Sequence, residues 1–559
     1  IIDKKQENKE LLESAINMQM IYNDPKSDHP SWEIAYAAAQ VRPMEYVDEV
    51  VSVSVDEAGP LRASIKIHRN RAGSEFIQYV RLSAFGSTDR IDFMNEVDWR
   101  TRNRLLKVEF PLTASNPLAT FDTSIGTIQR PNATSNLYEL NGHQWADITH
   151  QDGSYGVSIL NDCKYGWDKT KDNKLRLTLI HTPKATHVYP YQAIQDIGLN
   201  LFTYSFYRHM GQWNETTQWE AAKLNQAMLA FETQKHDGEL GKSFSFVGLN
   251  NDKVAVKALK KAEQSDEMII RLYEIAGENH ESVQITFAEN ILSVREVNGV
   301  EEELATGSID FTANKLTFPI TKYQPKTFAV RLDASSNLTQ HPVSNPINLE
   351  YNVDVMSSNE KKNDGRFGTT DFAYPAELLH DEIIADGIRF KIGSRVDGEK
   401  NAVQCAGQQI EINKNGTGNK LYILAASQNK AGSKAEFVID GEVHCLHIEY
   451  FADFVGLFDS PFSEGVYKKE NIAFTATHSH HVISKKDIAY SYLYMFKYLI
   501  PIADDAQTLT LPEDPDIVVF AISLSDNKND DIIPLSAIMS LPEHRALQPI
   551  EELQPCGDI

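Results

Sequence analysis

The sequence predicts a mainly β protein assembled from several sandwich-like units. Three observations carry that expectation. Apolar and polar residues alternate with period two in segment after segment from Glu49 to Leu524, the mark of half-buried antiparallel strands. One stretch alone, Thr216–Phe231, has helical spacing. The 559 residues exceed what one core supports and suggest roughly three to four domains of about 150 residues.

Taken in order, EVVSVSVD (49–56), ASIKIH (63–68) and FIQYVRL (76–82) alternate cleanly, and further strands are expected at 105–110, 156–160, 175–180 and 202–207. In the helical stretch, Thr216 or Thr217 is the expected cap, and Trp219, Ala222, Met228 and Phe231 recur near helical spacing. Strands resume at 254–259, 268–273, 282–287, 315–319 and 327–332. Between about 335 and 372 the composition turns to Asn, Ser, Asp and Gly, which reads as a polar linker or a long surface excursion. Beyond it, 387–392, 420–425, 436–439, 443–450, the aromatic run 490–500, 508–511 and 517–524 suggest a separate β domain with an acidic tail. The expected divisions are 1–235 for a large β-sandwich, 236–335 for a small one, 336–375 for the linker or excursion, 376–525 for a C-terminal β-sandwich and 526–559 for the tail.

Lys and Arg number 54 against 78 Asp and Glu, a net charge of −24. Such a chain does not neutralise phosphates without sequence preference, so no nucleic-acid partner is expected. No run of 18 or more apolar residues is present, so no membrane-spanning helix is expected. Cys163, Cys405, Cys445 and Cys556 form no close-spaced framework. They read as separate thiols or as one distant disulfide, which leaves the compartment open. Sequons stand at Asn132, Asn214, Asn337 and Asn415, near the chance number for this composition. The opening IIDKKQENKELL has no signal-peptide pattern and reads like a strand running into a turn, as though the chain began within a longer protein.

No P-loop, GxGxxG after a strand, GxSxG elbow or HExxH occurs. The densest histidine cluster is THSHH (477–481), where His478 and His480 would share one face of a strand. The cluster of His478, His480 and His481 reads either as a polar loop or strand end or as a metal site, and no third ligand can be named from sequence. In the loop DPKSDHPSWEIAY (24–36), His29, Trp32 and Glu33 stand together. An aromatic beside an imidazole and a carboxylate packs a loop, or meets a pyranose through its apolar face and hydroxyls. HQWAD (143–147) and NDCKYGWD (161–168) share that ambiguity, with Trp145 a core candidate and Lys164 and Tyr165 turn candidates.

In order along the chain, IIDKK, DPKSDHPSWEIAY, GPLRASIKI (59–67), RIDFMNEVDWRTRNRLLKVEFP (90–111), GTIQRP (126–131), GHQWADIT (142–149), SYGVSILNDCKYGWD (154–168), LRLTLIHTP (175–183) and FTYSFYRH (202–209) resemble an α-mannosidase of glycoside hydrolase family 38, in the β half that follows its catalytic domain. VAVKALKKAE (254–263) and IIRLYEIAG (269–277) resemble the next β domain of such proteins. YPAELL (374–379), GIRFKIGS (387–394) and LYILAAS (421–427) resemble a further β domain of some bacterial members.

The resemblance implies a galactose-mutarotase-like β-supersandwich followed by smaller β-sandwich domains. It implies a parent enzyme that is a retaining glycosidase, with an Asp nucleophile, a second carboxylic acid and zinc, all held in a catalytic domain absent from these residues, so that no catalytic or metal-binding residue is expected here. The expected partners are that catalytic domain and a mannose-containing oligosaccharide, with self-association through an exposed apolar patch as a further expectation. By the same resemblance Trp32 is the leading pocket-rim residue, with Glu33 and His29 beside it, and Lys164, Tyr165 and His181 approach the pocket. Three positions depart from the family pattern: His181 stands where Arg is expected, and Ser31 and Glu33 differ from an Asp-Ala-Trp-Asp loop. Two other roles stay open. The last β domain is read as a carbohydrate-binding module using the aromatic run 490–498, or as an oligomerisation domain that touches no sugar.

Overall fold

The computed structural model describes residues 1–22, 29–37, 45–84, 88–184, 188–233, 235, 238, 240–305, 309–333, 342–412, 418–454 and 471–535. Cys556, Asn337, Asn415, the start of the 24–36 loop and the tail beyond 535 lie outside the described residues. The chain falls into two compact units, the first made mainly of Ile1–Met228 and Asp237–Leu338, the second of Leu229–His236 and Thr339–Leu541.

The first unit opens with a sandwich of two antiparallel sheets. Nine strands run in the order 127–131, 118–122, 145–149, 155–161, 198–210, 90–99, 74–83, 62–71, 50–58, and six in the order 140–141, 166–171, 174–182, 104–111, 17–21, 45–46. Alternation decides which side chains meet between them. Val157 and Ile159 of one sheet share a core with Val108, Phe110, Leu175 and Leu177 of the other. Trp99 is wholly buried at its margin, where its Nε1–H donates to Thr182 Oγ1 at 2.8 Å and its ring meets Phe76 edge-on at 6.3 Å.

A smaller sandwich follows, with strands 247–249, 280–287, 315–320 and 310–312 facing 254–261, 268–274, 325–332 and 291–297. Val254, Ile270, Val283, Ile285, Leu316 and Phe328 fill it. Two contacts fasten it to the larger one. The Trp219 Nε1–H donates to Asp252 O at 2.7 Å, and the Tyr323 ring lies against Gly126 and Gly277. Gly277 has φ +81°, and a Cβ there would stand 2.7 Å from the Tyr323 hydroxyl, so glycine suits both the turn and the close approach.

The helix Glu215–Asn225 packs against strands 155–161 and 198–210 of the large sandwich. The expectation of Thr216 or Thr217 as cap is corrected: Asn214 caps, its Oδ1 accepting from the Thr216 N–H at 3.0 Å, with Glu215 in the first turn and Lys223 in the last favouring the helix dipole. The helix also stops at Asn225 rather than Phe231, because the apolar period runs on without a surface to bury it: Met228 is 95% exposed. Replacing Asn214 with Ala should cost about 1 kcal/mol of stability, read by denaturant unfolding of the first unit. A change below about 0.3 kcal/mol would show that the cap is not used.

In the second unit, nine strands form one sheet. The path 344–347, 517–525, 420–427, 486–501, 472–481, 372–375, 356–357 carries two side branches, 403–404 on 517–525 and 452–454 on 486–501. A four-stranded sheet (409–411, 508–510, 433–439, 442–448), the hairpin 382–385/388–391 and the pair 231–232/533–534 make up the rest of its described strands. Three strands of the large sheet, 344–347, 356–357 and 372–375, come from the polar stretch that reads as a linker. They are short and flanked by turn residues, so composition hides them. The aromatic run is a core strand. Leu493, Tyr494, Met495, Phe496 and Tyr498 are buried, which removes the motif on which a glycan-binding role for this domain was read.

Candidate functional site

Strand pairing in the six-stranded sheet gathers the predicted rim residues at one of its ends. Ile21, the last residue of 17–21, pairs with Leu105, and Thr182, the last of 174–182, pairs with Arg104. Gly166, the first residue of 166–171, pairs with Thr178 four positions earlier on the same strand. The loop after Ile21, the residues after Thr182 and the turn before Gly166 therefore leave the sheet on one side.

Residues 29–37 lie across that end. The Trp32 N–H donates to His29 O at 3.0 Å, closing a turn that stacks the two rings at a centroid distance of 4.7 Å and an interplanar angle of 26°. Behind His29 stands Tyr189 at 5.4 Å, and the Ser31 hydroxyl donates to Gln195 Oε1 at 2.8 Å. This backing leaves Trp32 80% exposed, an aromatic face held in place yet uncovered, with Glu33 exposed beside it. At the other end of the loop Tyr36 meets Tyr138 at 5.2 Å, one residue before Glu139 and the strand 140–141.

His181 joins the Trp32 group through a shared segment. Its backbone N–H donates to Asp196 Oδ2 at 3.2 Å, next to the Gln195 that holds Ser31. Burial holds the His181 imidazole below its usual range, with the Asp196 charge opposing and Lys107 adding to the depression. At neutral pH it is an uncharged ring able to exchange hydrogen bonds with hydroxyls, where a guanidinium would only donate.

Lys164 and Tyr165 form a second group. Tyr165 is half exposed and stacks on His143 at 5.5 Å, and His143 Nδ1 stands 3.4 Å from Asp122. The Lys164 ammonium lies 5.0 Å over the Phe202 ring. Trp145 of the neighbouring HQWAD motif is fully buried against Trp213, so it is core. Sequence reading missed Tyr189, Gln195, Asp196 and Tyr138, which are scattered along the chain and brought to the loop by the fold alone. Cys163, in the same turn as Lys164, has its thiol pushed up to about 12 by burial, with Asp162 adding, so it is no nucleophile.

Beneath this end lies a buried ionic network on one face of the six-stranded sheet. Arg176 grips Asp168 with two hydrogen bonds, Nε–H to Oδ1 at 2.7 Å and an Nη2–H to Oδ2 at 2.8 Å. The Lys107 ammonium reaches Asp168 Oδ2 at 3.0 Å, the Thr178 hydroxyl at 2.8 Å, and Glu139. Burial disfavours the charged form of Asp168, yet Lys107 and Arg176 together hold its carboxyl below the usual range.

A Ser, His and Asp also meet in this sandwich, but not as a nucleophile and its base. Asp147 sits between the two, with His209 Nε2 at 2.7 Å and the Ser158 hydroxyl at 2.8 Å both on Oδ2, and the Thr149 hydroxyl on Oδ1 at 2.7 Å. The hydroxyl bonds to the carboxylate rather than to the imidazole, and Ser158, His209 and Asp147 are all buried. The arrangement is a structural knot.

Among the described residues at the sheet end, no group of His, Cys, Asp and Glu has the geometry of a donor set for the zinc that the family resemblance implies. Among the described residues, one group of His, Cys, Asp and Glu has metal-holding geometry, Glu377 with His478 and His480, and it belongs to the second unit. No step of the mannosidase reading runs through zinc on these residues.

With this geometry in view, the comparisons are specific. Residues 1–187 match the family described as Glycosyl hydrolases family 38 C-terminal domain, and residues 253–328 match the Glycosyl hydrolases family 38 C-terminal beta sandwich domain. Residues 343–528 match an AziU2-like beta-sandwich domain. Alpha-mannosidase G of Dictyostelium discoideum is 27% identical over 346 residues, 58% of this chain and 30% of that protein. Alpha-mannosidase 2C1 of Mus musculus is 29% identical over 256 residues, 44% of this chain and 24% of that protein. The crystal structure of an alpha-mannosidase from Enterococcus faecalis shares 16% identity over 59% of this chain and 40% of its own, at a TM-score of 0.47, too loose a likeness to add to the sequence matches. The chain thus spans 30% and 24% of the two curated relatives. Its first two sandwiches match C-terminal β domains of glycosyl hydrolase family 38, and a match to an AziU2-like β-sandwich follows them.

Proposed function

We propose that this chain is the C-terminal region of a retaining, zinc-dependent α-mannosidase that removes terminal α-linked mannose from glycans, and that it supplies scaffold and pocket-rim contacts rather than chemistry. The observation that carries the reading is Trp32, exposed and braced by His29 at the end of a sheet within the matched residues 1–187. A pyranose presents an apolar face to such a ring and hydroxyls to its neighbours, here Glu33 and the neutral His181. Lys164 and Tyr165 stand on the same side of the sheet and meet the more distant part of a glycan. In this reading the nucleophilic Asp, the general acid and the zinc ligands belong to a catalytic domain of the same protein, the principal partner of these β domains.

The test is hydrolysis of an aryl α-mannoside with added zinc, by this chain alone and by the protein that carries it together with a catalytic domain. The expected result is no turnover by the chain alone and turnover by the longer protein. Zinc-dependent hydrolysis by these 559 residues would overturn the scaffold reading.

A further inference from the structure

The histidines of the THSHH motif acquire in the fold the third ligand that sequence does not name. His478 and His480 project from one face of strand Ile472–His481, the alternation that period two dictates. Ala373 pairs with His480 in the neighbouring strand Phe372–Pro375. The chain then turns through Ala376–Leu378, which carries Glu377 over the two imidazoles. Glu377 Oε1 lies 3.2 Å from His478 Nε2 and 3.1 Å from His480 Nε2, so three donor atoms converge from two elements about a hundred residues apart.

We propose that Glu377, His478 and His480 form a divalent metal site, for zinc or a metal of similar ligand taste. Bonds of about 2.0–2.1 Å at tetrahedral angles set ligand atoms roughly 3.3 Å apart, close to the separations seen here. Two imidazoles with one carboxylate are the donor set for zinc, whereas calcium and magnesium call for oxygen alone.

The surroundings of His480 fit the same assignment. Its ring is 0% exposed, and Nε2 faces the Lys362 ammonium at 3.4 Å as well as Asp487 at 3.3 Å. A lysine ammonium only donates, so it calls for a lone pair on Nε2, while the two carboxylates call for a proton there; one nitrogen cannot answer both. A cation between Nε2 and Glu377 uses the lone pair and leaves Lys362 to Asp487, already 2.8 Å away.

Three protein ligands leave a fourth position, and Glu377 and His478 are only partly buried, so that position faces solvent. The ion would fasten the turn after Phe372–Pro375 to the long hairpin 472–481/486–501. The inference does not depend on the mannosidase reading, since these residues lie in the AziU2-like match.

Zinc titrated calorimetrically into the metal-free full chain at about pH 7.5 should bind in a component that Glu377→Gln and His478→Gln each weaken at least tenfold. Cobalt(II) in its place should show the intense visible absorption of a four-coordinate site, lost in both variants. Both substituted side chains are partly exposed, so the metal-free variants should melt with the wild type. No uptake by the wild type, or uptake unaltered in both variants, would discard the site.

Discussion

Replacing Asp168 with Ala should lower the stability of the first unit by about 3–5 kcal/mol, because the substitution removes a carboxylate shared by two buried cations. Arg176 loses both of its hydrogen bonds to Asp168 and keeps Gln19 Oε1 at 3.5 Å. Lys107, wholly buried, keeps Glu139 and Thr178 but loses Asp168. Denaturant unfolding followed by tryptophan fluorescence reads the change, since Trp99 and Trp167 belong to this core. A loss under about 1 kcal/mol would show that water reaches the network and screens it. A companion variant separates charge from packing. With Lys107, Asp168 and Arg176 replaced together by apolar residues of similar volume, much of the stability should return, since the desolvation penalty disappears with the charges.

The same network predicts an acid limb. The folded-state carboxyl of Asp168 is depressed, so the folded protein releases that proton more readily than the unfolded chain, whose value is near 3.9. Its stabilisation is therefore complete above roughly pH 5 and is lost as pH falls through the folded-state value. The Ala variant should lack this limb, so wild-type and variant stabilities should converge in strong acid. Parallel curves would assign the acid sensitivity to other carboxylates.

Much of the fold was legible because alternation reports burial directly. The strands read at 63–68, 76–82, 175–180 and 420–425 are each present and extend up to three residues further at their ends. What alternation could not report is which nominally polar face is covered. Lys107 alternates with Leu106 and Val108, as a solvent-facing residue would, yet strand Arg104–Pro111 is buried on both faces around it. Only the non-local convergence of Asp168, Arg176 and Glu139 makes a lysine tolerable there. Strands 344–347 and 356–357 stayed hidden for another reason, being too short to show a period and flanked by turn residues. The sites divide in the same way. Local motifs announced Trp32 with His29, and His478 with His480. Their completing residues, Tyr189, Gln195 and Asp196 in one case and Glu377 in the other, come from distant segments that carry no motif of their own.

In an active α-mannosidase containing this chain, Trp32→Ala should reduce kcat/KM for mannosides roughly 10- to 100-fold while leaving folding stability within about 0.5 kcal/mol of wild type. Both halves follow from the same fact. An indole 80% exposed contributes little to the core, so its loss is nearly neutral for the fold, yet it offers a wide apolar face to a ligand. Covering ~100 Å² of that face at ~25 cal/mol per Å² is worth ~2.5 kcal/mol, and each 1.4 kcal/mol is about tenfold. The KM-against-kcat split tells how the ring is used. If the sugar stacks equally in ground and transition states, KM rises and kcat holds; if the stack tightens as the ring distorts, kcat falls as well. Trp32→Phe keeps an apolar face and should recover part of the loss, whereas Trp32→Leu should recover less. The bracing predicts a smaller, graded effect for His29→Ala, which removes the stacking partner at 4.7 Å and frees the indole to move without removing it. Hydrolysis unchanged by Trp32→Ala would mean that the exposed ring faces away from the glycan. The rim reading would then fall, and the β domains would be left with a purely structural part in the enzyme.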